Sequence, residues 1–154
     1  MRPARVRRGA GSVSLFLGLG FGLPCVFGIR HFAQTREVWT FMGFPTYGEG
    51  PFQRIGVPTT TPLLVAFLAV CIAEVALGAL LWTGAPHAPT VSYGLLPFEF
   101  AFWIGFALPL GPLLGVARVA LLLADPNVTG SASQRSAPAA AATRSRPAGG
   151  RGQE

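Results

Sequence analysis

Apolar residues along this chain gather in long runs, without the strict alternation of a half-buried strand or the narrow stripe of a water-facing helix. The first run covers residues 12–29, the second 62–83, and residues 91–124 hold two more, placed at 92–108 and 110–124. The second is the best bounded. Thr61 suits an N-cap, Pro62 suits the first helical position, and Gly84 and Pro86 stop the run after Trp82. Its length matches the roughly 20 residues that cross a bilayer as a helix. Between the last two runs, Leu108-Pro109-Leu110-Gly111-Pro112 breaks the pattern. The pattern predicts an all-α fold, a transmembrane four-helix bundle. The alternative joins the last two runs into one long kinked helix and gives three crossings.

Residues 30–61 read differently. Arg30, His31, Arg36, Glu37, Glu49 and Arg54 are interleaved with Phe32, Trp39, Phe41, Phe44, Tyr47 and Phe52. Such mixing suits the headgroup layer, where a ring buries its body and wets its edge. The stretch 31–41 is expected to form a short interfacial helix. The glycines and prolines of residues 43–51 then predict a folded loop of tight turns. At the two ends lie a basic cytoplasmic segment, 1–11, and a tail, 126–154. The tail has almost no large apolar residues and is expected to be disordered. The membrane domain is thus 12–125. No small-x-small cleavage pattern follows the first run, which is read as an uncleaved helix.

Composition sharpens this picture. The chain has 154 residues, with 51% hydrophobic and only 12% charged, against about 25% charged in an ordinary soluble domain. So few polar groups cannot cover a water-facing surface, which makes lipid the expected solvent and excludes soluble-enzyme classes. The net charge of +6 comes entirely from arginine. Arg2, Arg5, Arg7 and Arg8 precede the first run, and Arg135, Arg144, Arg146 and Arg151 follow the last. Positive residues stay on the cytoplasmic side. Both termini are therefore expected inside, which favours four crossings over three. The setting is the cell membrane, and the arginine-, alanine- and glycine-rich composition suits a bacterial plasma membrane. Sparse tail arginines without aromatic neighbours argue against nucleic acid.

Three charges interrupt the apolar runs: Glu74, Glu99 and Arg118. Each costs about 2.5–3.5 kcal/mol at a bilayer centre on insertion scales. With four crossings, Arg118 reaches toward Glu74, and Glu99 competes for it. A buried Glu–Arg–Glu cluster is therefore geometrically available. It is either a proton-handling or polar ligand site, or a structural tie. Ser14, Gly18 and Gly22 recur every four residues and form a candidate helix-packing face. Arg30 and His31 are a candidate interfacial site. No second histidine stands at ligand spacing, so no metal site is expected, and no motif encodes a cofactor. Cys25 and Cys71 read as small buried hydrophobes. Their expected depths differ, one near a helix end and one mid-helix, which argues against a disulfide.

Gly28-Ile29-Arg30-His31-Phe32, then Phe41-Met42-Gly43-Phe44-Pro45, then the stretch from Glu74 to Gly84 resemble the DoxX-like membrane proteins. The resemblance covers residues 12–84, and the second half matches only as two apolar segments. It implies a four-helix membrane protein, with Glu74 and His31 on family motif positions. Some members of that family are linked to respiratory or sulfur redox chemistry at the quinone level, often as subunits. The resemblance therefore implies an accessory subunit of a membrane redox system, acting with a membrane protein partner or as a homo-oligomer. A small transporter or permeation unit using Glu74, Glu99 and Arg118, and a non-catalytic structural membrane protein, stand as alternatives.

Overall fold

The computed structural model describes residues 3–41 and 44–125. Expectations for Met1, Arg2, Met42, Gly43 and the tail 126–154 fall outside the described residues. The fold is mostly helical: α1 (Pro3–Thr35), a two-residue hairpin of β1 (Thr40–Phe41) and β2 (Phe44–Pro45), α2 (Pro51–Arg54), α3 (Thr61–Thr83), α4 (Ala88–Gly105) and α5 (Leu110–Leu123). Among the described residues, two helices, α1 and α3, are long and apolar enough to cross a membrane.

Helix α1 starts at Pro3 and ends at Thr35, longer at both ends than the run 12–29 suggested. Its 33 residues span about 50 Å at 1.5 Å per residue. The basic segment is helical because it has an inner face. Val6, Ala10, Ser14 and Leu17 are all buried, three or four residues apart. At the other end, residues 31–35 continue α1 and do not start a separate interfacial helix. Arg36 ends it, with φ 62° and its N–H donated to Phe32 O at 2.9 Å. This is the left-handed stop usually supplied by glycine.

Helix α3 begins at Thr61, the residue expected to cap it. Thr60 is the N-cap, its hydroxyl accepting from Leu63 N at 3.4 Å, with Pro62 in the first turn. Gly84 closes α3 at φ 75°, and Ala85 N donates to Leu80 O. Residues 91–124 do not form one kinked helix. Ala107 takes φ 55°, and Leu108 N reaches back to Trp103 O at 2.7 Å, which terminates α4 before α5 begins. The expected run 92–108 is therefore helical at 88–105.

Four helices pack with alternating direction. Gly11 lies beside Gly78 and Trp82, Gly18 beside Cys71 and Val75, and Gly22 beside Leu68 and Cys71. Positions rising along α1 meet positions falling along α3, so the two are antiparallel. Gly9 meets Leu121 and Ser14 meets Arg118, which sets α5 antiparallel to α1. Glu99 meets Arg118 and Trp103 meets Gly111 and Gly115, which sets α4 antiparallel to α5. Gly18 shows why small residues are needed: a methyl there would lie 2.6 Å from Cys71 O and 2.9 Å from Val75 N. Ser14 of the same candidate face is buried, but its hydroxyl oxygen accepts from Arg118 NH1 of α5.

The loop between α1 and α3 folds over the end of the helices where α1 and α4 finish. Tyr47 is buried, and its hydroxyl donates to Phe21 O at 2.7 Å. Pro24 lies in the next turn of α1 and has no N–H to donate to the carbonyl of Gly20, the residue before Phe21. Burial pushes the Tyr47 phenol pKa well above its usual value. Its ring meets Phe67 at 5.3 Å and Phe106 at 5.7 Å, and Phe52 closes edge-on against Phe106 at 5.4 Å. Thr59 Oγ1 donates to Tyr47 O at 3.1 Å, tying the loop to the start of α3. Tyr47→Phe keeps the ring and removes the hydroxyl. We expect it to cost about 1 kcal/mol, read as a lower thermal midpoint in a fixed detergent with unchanged helix content.

The cysteines need one correction. Cys25 is not at a helix end, and both thiols belong to the same core cluster. They are nevertheless free, and Cys25 Sγ donates to Leu64 O at 3.4 Å.

Candidate functional site

The cluster is built by one side chain from each long helix. Ser14 comes from α1, Glu74 from α3, Glu99 from α4 and Arg118 from α5. Glu74 stands nine residues before the end of α3, about 14 Å along its axis. Arg118 stands in a turn of α5 lined by small residues, with Gly111 and Gly115 packed on Trp103. Those glycines draw α5 onto α4 and let a long guanidinium enter the interior.

The guanidinium is the hub. Its NH1 donates to Glu74 Oε1 and Oε2 at 2.6 and 2.7 Å and to Ser14 Oγ at 3.1 Å. Its NH2 donates to Glu99 Oε2 at 2.5 Å. All four residues are buried. Charge-assisted bonds of this length are strong, and burial removes the competition from water. Satisfaction is incomplete, however. Among the described residues, Glu99 Oε1 and Arg118 Nε are buried without a hydrogen-bond partner, as are Ser92 Oγ and Tyr93 OH on α4. Two carboxyls also face one guanidinium, a formal excess of one negative charge.

The sequence-derived candidates thus separate. Glu74, Glu99 and Arg118 come together, and Ser14 joins them. Arg30 and His31 do not. His31 lies seventeen residues from Ser14 along α1, about 25 Å away. Arg30 is exposed and His31 is partly exposed, and neither side chain makes a hydrogen bond or ion pair among the described residues. No group of three metal-ligating side chains occurs among the described residues.

Two polar contacts escaped the reading of the sequence. Ser14 was visible only as a small residue, although it is one of two hydroxyls, with Ser12, in the first apolar run. Arg7 looked like a topogenic charge and Asp125 like the end of the last run. Instead Arg7 Nε donates to Asp125 Oδ2 at 2.5 Å, and Arg7 NH1 reaches Gly84 O at 3.4 Å. One arginine therefore joins the start of α1 to the ends of α3 and α5. The Arg8 guanidinium lies 5.8 Å over the Trp82 ring at the same level. Beside α1 and α3, Gly18, Gly22, Leu68, Cys71, Ile72 and Val75 line an open apolar groove of about 230 Å³.

No protein-family model, curated protein or solved structure matches this chain.

Proposed function

We propose that this chain is a multi-pass integral membrane protein, a transmembrane bundle of α1, α3, α4 and α5. One observation carries the reading: its polarity is inverted. Glu74, Glu99 and Arg118 are 2%, 0% and 0% exposed, whereas Phe16, Ile72, Phe98 and Leu113 are 61%, 62%, 61% and 68% exposed. These four apolar residues stand one on each helix. Water rejects such a surface, and lipid accepts it while forcing charges inward. Helix α4, with 18 residues, reaches about 27 Å, and α5, with 14, about 21 Å. A short α5 is accommodated by local thinning of the bilayer. The Arg7–Asp125 pair holds the start of α1 and the end of α5 at one face. With Arg5 and Arg8 beside it, that face is assigned to the cytoplasm of a bacterial plasma membrane.

Within that architecture we assign a DoxX-like role, an accessory subunit of a membrane redox system. It rests on the motif resemblance around Gly28–Phe32, Phe41–Pro45 and Glu74–Gly84. The enclosure of Glu74, Glu99 and Arg118 supports a supporting subunit over a permeation unit, because a conduction path needs water-accessible groups. Purification of the tagged chain from its native host in mild detergent is expected to bring down a quinone-linked or sulfur-linked oxidoreductase. Deletion should lower that enzyme's membrane-bound activity. Isolation alone, with unchanged activity in the deletion strain, would remove the subunit assignment and leave the membrane architecture standing.

A further inference from the structure

We propose that the Glu74–Glu99 carboxyl pair is a binding site for one exchangeable proton, held against Arg118 inside the helix assembly. Three observations meet there. First, the charges do not balance. Two carboxylates and one guanidinium leave one negative charge in a site with 0–3% side-chain exposure. No other cationic side chain bonds to the cluster among the described residues. Second, the carboxyls of Glu74 and Glu99 are gathered side by side on one guanidinium, Glu74 on NH1 and Glu99 on NH2. Two carboxylates so placed are both acceptors and repel. One proton removes that repulsion and supplies a donor. Third, Glu99 Oε1 has no donor, although it is buried. An uncharged hydroxyl is far cheaper to bury there than a charged oxygen without a partner.

The groups facing the pair are Ser14 from α1, Cys71 one turn from Glu74 on α3, and Arg118 from α5. Of these, Arg118 donates only, and Ser14 already accepts from it. The proton therefore resides on the carboxyls. Binding adds one proton and no counter-ion, and release returns it to water. This inference goes beyond the subunit assignment and does not need it, since it rests on the four side chains alone.

Infrared difference spectroscopy of the full chain in lipid, at neutral pH, tests it. The wild type is expected to show a protonated-carboxyl C=O band that shifts down in deuterium oxide. E99Q and E74Q should each abolish the band, because the remaining carboxylate pairs with Arg118. E37Q and E49Q, at exposed acids, should leave it unchanged. A wild type without such a band would overturn the proposal. So would a band that survives in both E74Q and E99Q. If either of those variants does not accumulate, the wild-type spectrum and the other variant decide.

Discussion

Arg118→Met is expected to be the most damaging single substitution in the chain, lowering stability by about 3–5 kcal/mol. It removes the donor for Glu74 and Glu99 together and takes a bond from Ser14. Two carboxyls then remain buried with no cation. The cost belongs to the groups left behind more than to the bond itself. That distinction has a consequence. In the triple variant E74Q/E99Q/R118M no charge is left to strand, so much of the loss should be recovered. Accumulation in membranes and thermal midpoint in one detergent read both effects. A wild-type midpoint for Arg118→Met would show that the hub does not hold the helices together. A triple variant as poor as the single one would show that the charges are not what the methionine strands.

Gly18→Leu should come next, with a loss of about 3 kcal/mol, at the upper end of overpacking costs. The first added carbon already meets Cys71 O and Val75 N, which are backbone atoms and cannot rotate away. Helices α1 and α3 would have to separate, and their contact is the most extensive in the fold. Gly20→Leu is the matched control, since nothing lies within 4 Å of a carbon built at Gly20. Comparing the two by thermal midpoint and monodispersity isolates the close approach from helix propensity, which both substitutions improve. Equal behaviour would contradict the packing described for α1 on α3.

The apolar runs carried most of the helical organisation, because burial and lipid both select for the same long stretches. The cluster was legible for a similar reason. A charge inside an apolar run has few partners available, so Glu74, Glu99 and Arg118 pointed to one another. What stayed hidden depended on geometry that no local pattern encodes. The stripe Val6, Ala10, Ser14 and Leu17 runs through the basic segment, but the arginines masked its helical period. Arg36 and Ala107 end helices in a left-handed conformation without being glycine, so α1 and α4 stopped where no residue type announced it. Arg7 and Asp125 are 118 positions apart and meet only because α1 and α5 run antiparallel. Tyr47 looked like one aromatic among many in an interfacial loop. Its burial goes with a hydrogen bond to Phe21 O, a carbonyl about four turns before α1 ends.

A membrane-spanning bundle requires lipid against the apolar side chains on the outside of all four helices. Spin labels at Phe16, Ile72, Phe98 and Leu113, placed singly in a Cys25→Ala, Cys71→Ala background and reconstituted in vesicles, test that contact site by site. Each label is expected to relax readily with dissolved oxygen and weakly with a water-soluble nickel complex. Strong relaxation by the nickel complex at these positions, on two or more helices, would place them in water and contradict a membrane-spanning bundle.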